Sequence, residues 1–251
     1  MNFKDLHHQK TPLLLGNVWD VPSAKAAEKL GFRAIGTSSA AIASLLGYQD
    51  GEEMDFSELL YFVKRIAANT QLPLSVDLES GYSRDPKIIT KHIKALVDIG
   101  VVGINIEDSI VDNKRILLDA AEFTNTLTAV NNLLSKGSID VFINVRTDVF
   151  LLGDPNPIAA TKKRIHLYEQ AGADGIFTPG IENESDIREI VTCTQLPINV
   201  MCMPDLLDFN TLSKLGVQRI SMGNFLFDKM YSQLESITKK IVDQQSFQSI
   251  F

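Results

Sequence analysis

The sequence predicts an α/β fold: a single-domain (β/α)8 TIM barrel over about residues 12–230, with a C-terminal helical extension over about 225–251. Three observations predict it. Short apolar runs and helix-like stretches alternate eight times in 251 residues, as strand–helix units do in a barrel. None of the runs alternates cleanly between apolar and polar residues, which suits parallel strands covered by helices. The length suits one large core, so no second domain is required. A doubly wound sheet is the alternative, but it usually has fewer strands, and no G-x-G-x-x-G follows the first run.

The elements follow in order. Leu13–Leu15 is the first strand, and Asp20 with Pro22 offers a start for a helix over 22–30. Gly31 stops that helix before the strand around Ile35, because glycine tolerates the left-handed turn that ends a helix. Asp55 with Glu58 resembles a capping box for a helix over 56–69, and Leu72–Val76 is the third strand. Asp85-Pro86 opens a helix to residue 99, and Gly100 precedes the strand ending in Ile104-Asn105-Ile106. A helix over 119–135 leads to the strand Val141–Val145, and Asn156-Pro157 opens the helix to 171. Gly172 and the Ile176 strand, a helix over 184–193 and the strand Leu196–Val200 continue the rhythm. Asp208 caps a short helix, Gly216 precedes the last strand around Ile220, and a helix over 225–243 closes the chain.

Composition narrows the function. Lys and Arg number 24 against 31 Asp and Glu, a net charge of −7, which argues against a nucleic-acid partner. The longest uncharged run, 34–49, is short for a bilayer and holds several polar residues, and the first residues lack the apolar stretch of a signal peptide. Cys193 and Cys202 are too few for a disulfide framework. The expectation is a cytoplasmic protein with no membrane contact.

Barrel chemistry sits at the carboxyl ends of the strands. Those positions carry Asp77-Leu78-Glu79, Glu107-Asp108 and Arg146-Thr147-Asp148, with Asp50, Glu52 and Glu53 in the loop after the second strand. Asp77 and Glu79 face the same side if the backbone stays extended. Two carboxylates about 4 Å apart repel by roughly 4 kcal/mol at an effective dielectric near 20, so such a cluster calls for protons or a cation. The four histidines lie in the N-terminal segment or in predicted helices, and neither cysteine sits among the acids. Hard oxygen ligands of this kind favour Mg²⁺, with Mn²⁺ next and zinc disfavoured. Asp108 and Asp148 read equally well as cluster members or as caps and Arg partners. Arg146 either neutralises the acids or grips a substrate carboxylate through its planar fork. Asn17, Trp19 and Asp20 stay open, since Asp20 is also a helix start. Cys202 reads as a small buried residue rather than a nucleophile. No Lys at a strand end supports a Schiff base, and Cys202-Met203-Pro204-Asp205 is a poor phosphate cradle.

Three segments in this order, Ser75-Val-Asp77-Leu-Glu79-Ser-Gly81-Tyr82, Gly103-Ile-Asn-Ile-Glu107-Asp108-Ser109 and Asn144-Val-Arg146-Thr147-Asp148, resemble the isocitrate lyase/phosphoenolpyruvate mutase superfamily. So do Gly16-Asn-Val-Trp19-Asp20 and Gly36-Thr-Ser38-Ser39-Ala40, and the likeness runs from about residue 10 to 230. The resemblance implies a Mg²⁺-dependent enzyme acting on a small α-keto or α-hydroxy acid through an enolpyruvate-like species. It implies Asp77, Glu79 and Glu107 as metal ligands, some through water, with Asp50 in the outer shell. It also implies that Ser38, Ser39 and Ala40 bind the substrate carboxylate with Arg146, and Trp19 joins them as a substrate-binding candidate. Ser38, Asp50 and Arg146 are the catalytic candidates. A homo-oligomer, dimer or tetramer, with an exchanged C-terminal helix is the implied assembly.

One departure redirects the expected reaction. The carbon–carbon lyases of this superfamily carry a Lys-x-Cys-Gly-His loop after the fourth strand; here residues 108–119 contain no Cys, Gly or His. Asn113-Lys114-Arg115 is a loose echo of the mutase and hydrolase loops. The expected activity is therefore a lyase or decarboxylase acting beside an α-keto acid, with oxaloacetate decarboxylation well suited to a site lacking the Cys loop. The alternatives are P–C bond chemistry on phosphonopyruvate-type substrates, or a catalytically silent dicarboxylate-binding barrel.

Overall fold

In the computed structural model, which describes residues 2–251, each of the eight apolar runs forms a strand. In chain order the strands are β1 (Leu13–Leu14), β2 (Gly16–Val18), β3 (Ile35–Thr37), β4 (Leu74–Asp77), β5 (Val101–Glu107), β6 (Ser109–Asp112), β7 (Lys114–Leu117), β8 (Phe142–Arg146), β9 (Gly175–Phe177), β10 (Ile198–Met201) and β11 (Arg219–Ser221). The helices are α1 (Val21–Lys29), α2 (Ser39–Leu46), α3 (Phe56–Ala67), α4 (Pro86–Val97), α5 (Ala120–Lys136), α6 (Pro157–Gln170), α7 (Glu184–Thr192), α8 (Phe209–Leu215) and α9 (Phe225–Gln244). Nine strands form one parallel sheet in the order β1-β11-β10-β9-β8-β5-β4-β3-β2. β1 and β2 are two pieces of one strand, broken at Leu15: the first pairs with β11 and the second with β3, which closes the barrel.

The helix signals act as local chemistry requires. Asp20 and Ser23 form a capping box at α1, Asp55 N–H donates to Glu58 Oε2, and Asp208 accepts from Asn210 and Thr211. Asn156 makes no side-chain cap, so Pro157 alone marks the start of α6. Gly31, Gly100, Gly172 and Gly216 all adopt φ between 79° and 95°. Each helix then buries one stripe against the strands, as with Leu59, Val63 and Ile66 on α3 and Ile89, Ile93 and Leu96 on α4. Two elements go beyond the expected alternation. α2 follows β3 directly, and residues 109–117 form an antiparallel hairpin outside the barrel rather than a plain loop. No helix among the described residues is long and apolar enough to cross a membrane.

A short 3₁₀ turn, Lys4–His7, closes the amino-terminal end of the barrel. Phe3 packs edge-on to Phe142, and His7 stacks on the same ring at 4.2 Å. Gly103 makes room for this plug, since a Cβ there would lie 2.6 Å from Phe3 Cε1. Burial, reinforced by the charge of Arg219, lowers His7 to about 3 and keeps it neutral. The plug leaves the opposite end of the barrel as the open one. Phe3→Ala is expected to cost about 3 kcal/mol, read as a lower urea midpoint; an unchanged midpoint would show that the floor contributes no stability.

Candidate active site

Alternation along the strands sorts the acids. Asp77, at the end of β4, faces into the barrel mouth and receives the Ser39 hydroxyl at 2.8 Å. Glu107 on β5 stands in register with Arg146 on β8, and Arg146 Nη1 lies 3.0 Å from Glu107 Oε2. Asp108 turns the other way, into the helix layer. There it is fully buried and receives Arg164 at 2.9 Å, Tyr168 at 2.7 Å and the Asp148 N–H at 3.1 Å. Of its two readings, the Arg partner holds. Asp148 also pairs with arginine: Arg146 donates Nε and Nη2 to its two oxygens at 2.6 and 3.1 Å.

Glu79 differs from expectation. β4 ends at Asp77, and Glu79 adopts φ +50°, so the extended-backbone argument for a shared face does not apply. Glu79 is buried behind the mouth and accepts from the Tyr82 hydroxyl at 2.9 Å. A cavity of about 230 Å³ opens at this end of the barrel, and Asn17, Ser38, Ser39, Ala40, Asp50, Asp77 and Arg146 all line it. Trp19 does not. It is buried edge-on against Phe227 of α9, in the wall of a separate apolar groove, because the chain after β2 turns outward to start α1. Cys202 is exposed rather than buried, and it lines no part of the cavity.

Sequence reasoning missed Arg115. The hairpin β6–β7 folds over the mouth and sets its guanidinium against Glu107, 3.0 Å from Ser109 Oγ, 3.3 Å from Asp148 and 2.7 Å from Asp50. A signal was present: Ser109-Ile-Val and Arg115-Ile-Leu flank Asp112-Asn113-Lys114, and Asp and Asn favour a turn. Ser38 caps α2 by accepting from Ala41 N–H. The N–H groups of Ser39 and Ala40 precede that bond in the first turn, which leaves them without a partner inside the helix and at the cavity wall.

The electrostatics call for a cation. Five acids (Asp50, Asp77, Glu79, Glu107, Asp148) gather at this end with two guanidiniums (Arg115, Arg146), and Asp77 Oδ1 and Glu79 Oε2 are buried without a hydrogen-bond donor. Burial raises Glu79 to about 8, helped by Asp50, Asp77 and Glu107. Burial also raises Asp77, against the pull of Arg146 and Ser39. Burial pushes on Asp148 as well, but Arg146 and Ser109 more than offset it and hold that carboxyl low. Among the described residues no three His, Cys, Asp or Glu side chains converge as a direct metal cage, because Glu79 turns aside and Arg115 covers Glu107. The donor set still fits Mg²⁺, which keeps several waters and takes one or two carboxylates. Asp77, a cavity-lining residue whose buried Oδ1 has no donor, is the residue that would serve as a direct ligand.

This pairing of unsatisfied acids with an anchored guanidinium lies at the open end of a parallel barrel, where barrel enzymes carry their chemistry. The chain belongs to the phosphoenolpyruvate phosphomutase family, whose model matches residues 3–242, and thus to the isocitrate lyase/phosphoenolpyruvate mutase superfamily. Members of that superfamily act as lyases, decarboxylases or phosphonomutases. An uncharacterized protein of Mycobacterium tuberculosis is 35% identical over 224 residues, 89% of this chain and 82% of its own length. Oxaloacetate decarboxylase 1 of Pseudomonas fluorescens is 29% identical over 226 residues, 86% of this chain and 75% of its own. A crystal structure from Burkholderia cenocepacia, provisionally named a phosphonomutase, superposes with a TM-score of 0.88 at 35% identity, covering 94% of this chain and 97% of that one.

The Glu79 shift sets a pH dependence. An acid whose folded pKa lies above its unfolded value favours folding while protonated, and that contribution is lost as pH rises through the folded value. The metal-free chain should lose stability between pH 4.5 and about 8, and Glu79→Gln should flatten that slope. Mg²⁺ should raise the melting temperature more at the alkaline end of this range than at the acid end. Thermal melts across pH check both; an unaltered slope in Glu79→Gln would remove this carboxyl from the account.

Proposed function

We propose that this chain is a Mg²⁺-dependent carbon–carbon lyase or decarboxylase acting on a small α-keto or α-hydroxy dicarboxylic acid, with oxaloacetate decarboxylation as the leading reaction. The observation that carries the reading is Asp77 Oδ1, a buried carboxylate oxygen without a donor at the wall of a cavity that also holds Arg146 and the start of α2. Asp77, with Glu107, Glu79 and Asp50 acting through water, would hold the ion, which supplies Lewis-acid stabilisation of an enolate oxygen. The chain's own residues do the rest. Ser38, Ser39 and Ala40 offer the helix start to a substrate carboxylate, and Arg146, gripped bidentately by Asp148, presents a fixed positive charge beside it. Phe177, below Arg146 at 5.9 Å, and Leu151, Met201 and Met203 keep the wall apolar. No Cys or His lines the cavity, which favours a reaction that needs only charge stabilisation and protonation from solvent.

P–C bond chemistry on phosphonopyruvate-type acids is the second reading. The phosphomutase family description and the Burkholderia structure favour it. We also propose a homo-oligomer, since α9 exposes Leu226, Met230, Leu234 and Val242 beside the apolar groove that Trp19 and Leu30 line. Pyruvate release from oxaloacetate, phosphonopyruvate, 2-methylisocitrate and substituted malates, with Mg²⁺ present and then chelated, separates the chemistries. In calorimetry, oxalate is expected to bind only with Mg²⁺ and not to Asp77→Ala; metal-independent binding would sink the enzyme reading. Arg146→Lys is expected to raise KM for carboxylate substrates, because an ammonium cannot reproduce the fork.

A further inference from the structure

Two guanidiniums line the same small cavity, and they are held very differently. Arg146 projects from a barrel strand and is clamped on both sides, bidentately by Asp148 and by Glu107. Arg115 projects from β7, an arm of the hairpin outside the barrel. Two of its carboxylate partners, Glu107 and Asp148, already have Arg146; the third, Asp50, is substantially exposed. The hairpin is anchored at its base, where Leu118 N–H donates to Asp108 O at 2.8 Å and the buried Ser109 hydroxyl donates to Asp148 at 2.5 Å. Beyond the base, Val111 rests on Gly51, where a Cβ would sit 2.3 Å from Val111 Cγ2. Val111 and Ile116 are otherwise exposed. Arg115 is therefore the replaceable cation of the pair.

We propose that Arg115 is the resident counter-cation of the acid cluster and the specificity-determining residue for a second substrate carboxylate: a divalent ion entering beside Glu107 releases its guanidinium, which then grips that carboxylate. This rests on the metal and dicarboxylate reading above. A divalent ion and a guanidinium repel each other, so they cannot share the Glu107 carboxylate at contact distance without loss to both. Once free of Glu107, the Arg115 fork remains at the wall of a cavity of about 230 Å³, beside Arg146. An acid with a carboxylate at each end satisfies both, and a monocarboxylate leaves Arg115 unpaired.

Arg115→Gln tests this because the two halves move in opposite directions. Titration calorimetry with Mn²⁺ alone should show tighter binding to the variant than to the wild type, since a competing cation is gone. With Mn²⁺ saturating, the variant should lose roughly ten- to hundredfold in affinity for 3,3-difluorooxaloacetate, a stable dicarboxylate, and keep its affinity for pyruvate. Arg115→Lys, which keeps the charge and loses the fork, should hold Mn²⁺ affinity at the wild-type level and still bind the dicarboxylate more weakly. Mn²⁺ binding that weakens or stays unchanged in Arg115→Gln overturns the counter-cation role. Equal losses for both acids overturn the specificity role, as does no loss for either. Wild-type protein that binds no Mn²⁺ overturns the metal reading itself. Wild-type protein that binds Mn²⁺ but neither acid overturns the substrate reading, and the specificity role with it.

Discussion

The open end of the barrel depends on Arg146. Glu107 and Asp148 are buried, and Arg146 is the cation that touches both from within the barrel wall. Removing one member of such a buried network leaves an uncompensated charge, a loss of about 3–5 kcal/mol. The arrangement also explains why the fork is rigid: its carboxylates sit on or beside adjacent strands, and β5 and β8 run in register from Gly103 to Glu107. A substrate carboxylate meeting this fork pays little to orient it.

Side-chain alternation along β5 separates chemistry from architecture. Glu107 turns to Arg115 and Arg146 at the mouth, and Asp108 points out to Arg164 and Tyr168 on α6. One acid therefore serves the site and the next ties a helix to the barrel, although the two are neighbours in sequence. The same economy holds at the floor, where neutral His7 and Phe3 plug the barrel. The interior between them is polar, with Asn105, Asn144 and Asn199 hydrogen-bonded in a layer that Arg219 joins through Asn105.

What was legible in the sequence is what local chemistry decides. Helix starts at Asp20, Asp55, Asp85 and Asp208 and stops at Gly31, Gly100, Gly172 and Gly216 stand where expected, because a cap or a left-handed turn acts within a few residues. Asp77 and Arg146 were legible too, since both sit at strand ends and a barrel brings all strand ends to one face. Less was visible where the answer depends on distant partners. Trp19 left the site because α9, from the far end of the chain, packs on it. Glu79 left the wall because its backbone turns left-handed just beyond the strand.

The sequence by itself determined the barrel, the order of its elements and the concentration of acid at its mouth, because hydrophobic period and capping residues are read within single elements. Only the tertiary structure decided which acids face the cavity, which bind arginines, and that a hairpin places Arg115 over them. Those outcomes turn on side-chain direction and on charges brought together across 33 to 65 residues of chain, as between Arg115 and Asp148 or Asp50. Electrostatic energy depends on distance and burial, and neither is written in the order of the residues.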